Sequence, residues 1–207
     1  MPDIKAGLEA VKELDGLLGI LAKYISRLKA DPDRAASDLT EALEEIEKSC
    51  RVLDEAAKRY LSLGFKPDVL SEGSDVLLEI GGGGILVAVQ RGLGSCHKIS
   101  NIYSNSLHRW FERVFKSDDA ALQEITRVFD ALCNADRDMF AGMADAARRI
   151  QQLANEALGL ISTGRSDKAQ MQVRADFAEV NPLRVRMNEL LAKLYEVRAQ
   201  FIEISGV

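Results

Sequence analysis

Apolar residues recur along most of this chain in steps of three and four, the spacing that places them on one face of a helix. The first seam runs through Ile4, Leu8, Val11, Leu14, Leu18, Leu21, Ile25 and Leu28. Asp31 and Pro32 then read as an N-cap followed by proline at the first helical position. A second seam takes Leu39, Leu43, Ile46, Cys50, Leu53, Ala57 and Tyr60, with Gly64 and Pro67 as its stop. Together these two segments predict a helical hairpin. Past a possible cap at Ser117 comes the longest pattern, from Leu122 through Ile125, Phe129, Leu132, Met139, Met143, Ile150 and Leu153 to Leu160, broken once by Asp136. Gly164 ends it. A last helix, capped at Ser166, carries Val180, Leu183, Met187, Leu190, Leu194, Val197, Phe201 and Ile204, with Pro182 inside it predicted to kink or split it.

Helix length bears on shape. A compact domain of this size is about 43 Å across, whereas a straight helix from Asp118 to Thr163 spans roughly 69 Å. Because the long seam keeps phase across Asp136, the pattern favours an elongated molecule over a broken helix. The expected fold is therefore all-α: an elongated antiparallel bundle of about five or six long helices, one domain over residues 1–207, with a glycine-rich break at 81–84.

That break lies in the stretch EIGGGGILVAVQ, where Gly81, Gly82, Gly83 and Gly84 separate two apolar runs. A phosphate-binding loop requires two glycines five apart followed by Lys and Ser or Thr, and here Ile85 to Val89 and then Gln90 follow instead. Two readings remain. The segment 76–89 could pair as a hydrophobic hairpin and act as a membrane-entering tongue, an exposed apolar patch that demands a partner. Or the glycines form a joint between two helices. Each glycine costs a helix about 1 kcal/mol relative to alanine, so four in a row should end one near residue 80 and let another start near Ile85. The joint needs the fewest assumptions.

Charge then singles out one surface. If residues 85–116 form a helix, Val89, Cys96, Ile99, Tyr103, Leu107, Trp110, Phe111 and Val114 share one broad face. Arg91, Lys98, Arg109, Arg113 and Lys116 gather on the other side. Five basic residues against Glu112 give this stretch +4 in a chain of −5, which leaves −9 elsewhere. A basic amphipathic helix suits an acidic protein, an anionic lipid surface or a nucleic-acid backbone. It can also be no more than the wet face of a bundle helix, paired with the acids of the second seam such as Glu41, Glu44 and Glu45. The acidic overall balance argues against non-specific nucleic-acid binding.

Catalytic constellations are sparse. The chain has two histidines, His97 and His108, and contains no Glu-x-x-His, so a di-iron bundle site lacks its usual ligands. Asp118 and Asp119 open the long helix, where acids suit the helix dipole without any metal. Cys50, Cys96 and Cys133 are widely spaced and odd in number, as expected of buried thiols in a reducing compartment. Arg91 and His97 stand in an Arg-x5-His spacing, which resembles the motif of small helical HEPN ribonucleases. That resemblance implies an arginine that steadies phosphate and a histidine that assists in-line cleavage. Gly92 stands where that family has a polar residue.

Apolar residues at 47% and charged residues at 29% are an ordinary globular balance without a disordered signature. The acidic, periodic N-terminus does not read as a signal peptide, and the longest apolar stretch falls short of the ~20 residues of a membrane span. The expectation is a cytoplasmic, non-enzymatic interaction or regulatory module that needs no cofactor or metal. Its partner is another protein or a second copy of itself. The alternative is a membrane-active helical protein that uses segment 76–89 with the basic helix 90–116 behind it, and the third reading is the HEPN-like ribonuclease.

Overall fold

A computed structural model describes the backbone of residues 3–65 and 69–206 and all their side chains except those at 69–72, 92–97, 99, 100 and 131–140. Within these residues the molecule is all-helical, with no strand. Helix α1 spans Ile4–Ala30 and α2 Ala35–Ser62, the latter ending in a 3-10 turn at Leu63–Phe65. Helix α3 (Val69–Gly81) precedes α4 (Gly84–Ile102), which passes through a π turn (Tyr103–Leu107) into α5 (His108–Val114). Helices α6 (Asp119–Ser162) and α7 (Ser166–Ser205) complete the chain. At 1.5 Å per residue they are about 66 and 60 Å long, so the bundle is elongated and α6 runs unbroken.

Several helix ends lie elsewhere than the sequence signals suggest. Asp33 rather than Asp31 prepares α2, its carboxylate accepting from Ala35 N at 3.0 Å. Asp118 rather than Ser117 caps α6, accepting from Ala121 N at 3.0 Å. Ser166 is the first residue of α7, not its cap. Gly64 is no left-handed stop. Its backbone lies against Val173 and Arg174, and its carbonyl accepts from Arg174 Nε at 2.6 Å. Helix α7 also runs through Pro182 without splitting. The α6 terminus does follow rule: Gly164 is left-handed at φ +73°, and Arg165 N reaches back to Leu160 O at 2.9 Å.

The predicted α1–α2 hairpin is not a packed pair. Helix α1 lies against α6 and α7, while α2 lies against α7 and α4. Polar pairs fix the directions. Helices α1 and α6 run antiparallel, with Arg27 on Asp118 at 2.6 Å and Tyr24 donating to Glu124. Helix α1 is parallel to α7, through Lys193 on Asp15 at 2.9 Å and Lys29 on Glu203 at 2.5 Å. Three rungs hold α2 antiparallel to α7: Glu47 with Arg198 at 2.9 Å, Asp54 with Arg184 at 3.6 Å, and Tyr60 on Asp176 at 2.6 Å.

These contacts describe a taper. Near their connecting turn α6 and α7 pair directly, through Arg149 with Glu179 at 2.7 Å and Gln172 with Glu156 at 3.1 Å. Further along, α1 wedges between them. It enters at Gly7, where an added Cβ would stand 2.6 Å from Ala146 Cβ and 3.5 Å from Leu183. Gly142 on α6 allows the same close crossing, since a Cβ there would lie 2.4 Å from the Ala6 carbonyl oxygen. Past that fork five rods form a closed ring, α2–α4–α6–α1–α7; at the other end four do, α2–α3–α6–α7.

Side-chain size follows the change from five rods to four. A five-membered ring leaves a wider centre, and the core must fill it to close-packed density. Trp110, Phe111, Phe115, Phe129 and Tyr103 are buried there, with Tyr103 stacked on Phe129 at 5.0 Å and Tyr24 edge-on to Phe115 at 5.3 Å. The four-helix end carries Ala56, Ala57, Ala154, Ala157 and Ala169 beside aliphatic residues such as Leu77 and Leu153, with Tyr60 the aromatic side chain buried there. Among described side chains, α3 contributes Leu77 and Ile80 to the core, worth roughly 3–6 kcal/mol of burial between them.

Candidate interaction surface

The glycine run is a joint. Helix α3 stops at Gly81 and α4 starts at Gly84, leaving Gly82 and Gly83 in the turn, with Gly83 at φ +90°. Both runs predicted as arms of a hairpin are helical, so the membrane-entering β tongue is not formed. The chain does not reverse here either. Arg59 on α2 pairs with Glu79, Ser49 donates to Ala88 O, and Lys98 pairs with Glu41, an orderly descent along one antiparallel partner. Helices α3 and α4 are thus successive pieces of one rod laid along α2 and α6. The missing side chains leave a shallow apolar cleft lined by Val52, Ala56, Ile80, Gly84 and Ile85 and rimmed by Arg59 and Glu79.

The basic rod exists, with its apolar side inward. Val89, Tyr103, Leu107, Trp110 and Phe111 are buried and Val114 is half-buried; Cys96 and Ile99 lie outside the described side chains. The π turn inserts one residue's worth of phase. Side chains cover the loosened carbonyls: Asn105 donates to Asn101 O at 2.8 Å, Ser106 to Ile102 O at 3.0 Å, and Arg109 to Asn105 O at 2.6 Å.

The five cations do not form one uncommitted stripe. All are exposed, but Lys98 pairs with Glu41 of α2 at 3.3 Å, and Arg109 is held by the π turn. Arg113 clamps the α1–α2 connection, with its Nε 2.6 Å from Asp31 and a second nitrogen 2.9 Å from Asp33. Beside it Trp110 donates to Asp31 O at 2.6 Å. The Ala35 N–H and then Arg113 hold the Asp33 carboxyl below the usual aspartate range. Arg91 is exposed on α4, and Lys116 falls beyond the end of α5, not on the helix as expected. The basic residues of this segment therefore join elements of the fold as well as facing water.

Chemistry elsewhere is muted. The Cys50 thiol is pushed up to about 12 by burial, which leaves it protonated and inert. His108 Nε2 stands 3.4 Å from Glu112 Oε1 on the outer side of α5. The side chains of His97 and Asp136 lie outside the described set. Among described residues no His/Cys/Asp/Glu group is placed to hold a metal ion, and no helix is long and apolar enough to cross a membrane.

What the sequence seams did not single out is apolar exposure at the four-helix end. Phe65 is 70% exposed, Met171 69% and Leu78 57%, and Phe177 meets Phe65 edge-on at 6.2 Å. The antiparallel α2–α7 pairing brings Phe65 to Phe177, whereas Leu78 lies on α3, across the four-helix ring from α7. A signal was present. The α7 seam extends back through Val173 and Ala169, and Met171 and Phe177 both fall off it. Comparisons of the chain with family models, curated protein sequences and solved structures return no match.

Proposed function

We propose that this protein is a non-enzymatic helical interaction module that binds another protein or a second copy of itself. One observation carries the reading: Phe65, 70% exposed, meets the exposed Phe177 edge-on at the four-helix end, with Met171 exposed on the same helix as Phe177. Scattered surface hydrophobics are ordinary, but several large ones at one end mark a contact surface. The basic residues are weaker candidates than their charge suggests, because Lys98, Arg109 and Arg113 already serve the fold.

The test is site-specific photo-crosslinking in cells, with a photoreactive residue at Met171, Arg109 or Lys116, alongside sedimentation velocity over a concentration series. Adducts or self-association that depend on position 171 and are lost in Phe65→Ser/Met171→Ser support the reading. Adducts from Arg109 and Lys116 alone return the surface to the basic rod, and a monomer without adducts at any position removes the interaction role. The membrane-active alternative keeps one favourable feature, the exposed Leu78 and Val87 on either side of the joint. It predicts pelleting with anionic liposomes that Gly82→Asp/Gly83→Asp abolishes.

A further inference from the structure

Helix α7 carries apolar residues on two opposite faces. Its inner seam, through Leu183, Met187, Leu190, Leu194, Val197 and Phe201, is buried against neighbouring helices. A second series in steps of three and four, Val185, Asn188, Ala192, Tyr195, Ala199 and Ile202, runs along the opposite side of the helix. Val185 is 49% exposed and Tyr195 61%, Asn188, Ala192 and Ile202 are exposed too, and Ala199 is half-buried. Ala178 and Met171, one and two heptads before Val185, carry the series back to the four-helix end. Helices α1 and α2 flank this outer seam without covering it. Lys193 reaches Asp15 of α1 on one side, and Arg184 and Arg198 reach Asp54 and Glu47 of α2 on the other. Such a repeat facing water is the seam on which a second helix packs.

The residues bordering the seam specify which helix. Arg184, Leu191 and Arg198 line one border, and Glu189, Glu196 and Glu203 line the other. Two copies of α7 laid parallel and in register set each border against the opposite border of the partner. Arg184 of one copy then faces Glu189 of the other, and Arg198 faces Glu203, on both sides of the pair. Turned antiparallel, each border meets itself and Glu189 lies by Glu196, acid against acid. Charge therefore selects the parallel pair. A guanidinium has five N–H donors, so an arginine bonded to α2 can also serve a partner helix. Glu189 and Glu203 already touch Arg186 and Lys29, in exposed pairs that hold little energy. In register Asn188 meets its own copy, a polar layer that fixes alignment.

We propose that the protein forms a parallel homodimer in which the outer seam of α7, from Val185 to Ile202, packs on the same seam of a second copy. This rests on the interaction role and commits it to self-association.

Sedimentation velocity of the full chain over a concentration series should show a monomer–dimer equilibrium. Val185→Ser/Tyr195→Ser alters exposed positions only, and should weaken dimerisation at least about tenfold while helical content by circular dichroism stays unchanged. Glu189→Lys, which sets a cation against Arg184 of the other copy, should weaken it about threefold to tenfold. Orientation is read by mild oxidation of Val185→Cys and of Ile202→Cys, each beside the wild-type chain. A parallel pair gives a homodisulfide at both ends of the seam, an antiparallel pair at neither. A monomer throughout the series, a dimer indifferent to Val185→Ser/Tyr195→Ser, or a dimer without either disulfide overturns the proposal. A monomer that still gives Met171 adducts with another protein removes the homodimer and leaves the interaction role standing; a monomer without adducts removes both.

Discussion

Asp176 occupies a core position of the α7 heptad, in line with Ala169, Leu183, Leu190, Val197 and Ile204. Burial raises its pKa above the ordinary 3.8, although the Tyr60 hydroxyl that donates to it at 2.6 Å pulls the other way. Burial, and then that same bond, push the Tyr60 hydroxyl up and keep it a donor. An acid whose folded pKa is raised contributes stability below its unfolded pKa and loses it as pH rises through the folded value. Asp176→Asn keeps an acceptor for Tyr60 and removes the buried charge. Its thermal midpoint should exceed the wild type's at pH 7, and the advantage should vanish near pH 3.5. Tyr60→Phe has the opposite sign: it strips the carboxylate of its donor and should cost roughly 1–3 kcal/mol in urea titrations at pH 7.

Glycine has opposite roles in different elements. At the α1–α6 crossing it provides proximity, because Gly142 faces the backbone of Ala6, which cannot give way. Gly142→Ala should destabilise by roughly 1–3 kcal/mol through overpacking. At the joint glycine provides conformation. Gly83→Ala meets a φ of +90° and should cost about 1–2 kcal/mol. Gly84→Ala enters open space at the start of α4 and should stabilise by about 0.5–1 kcal/mol. Denaturant midpoints of the three variants check these signs together, and a stabilising Gly142→Ala would contradict the close crossing.

Across the whole molecule, acid sensitivity divides by location. At the surface, partners hold carboxyls below their ordinary range: the Ala121 N–H and Arg27 at Asp118, Lys23 and Tyr24 at Glu124, Arg59 at Glu79. These groups stabilise the fold above the ordinary 3.8 to 4.5 and lose that contribution as pH falls through their folded values. Asp54 and Asp176, both raised chiefly by burial between α2 and α7, lose theirs as pH rises from 3.8. Unfolding free energy should therefore fall as pH drops below about 4 and also decline as pH rises above that value. Asp54→Asn/Asp176→Asn should flatten the decline on the higher-pH side and leave the acid limb in place, as urea titrations from pH 3 to 8 would record.

Periodicity alone determined the helical class, the long unbroken α6, the joint at 81–84 and the inward face of the basic rod, because each depends on one segment's own spacing. Helix neighbours were not legible. Nothing in the seams of α1 and α2 says that α1 wedges between α6 and α7; that follows from Gly7 and Gly142 meeting across more than a hundred residues. The commitment of Lys98 and Arg113 to Glu41, Asp31 and Asp33 was equally hidden, since a charge reads the same in sequence whether its partner is water or a neighbouring turn. Exposure at Phe65, Leu78, Met171 and Phe177 was decided by which faces the neighbouring helices leave uncovered. A side chain is buried by what other helices bring to it, and a local pattern specifies its face without specifying whether that face is covered.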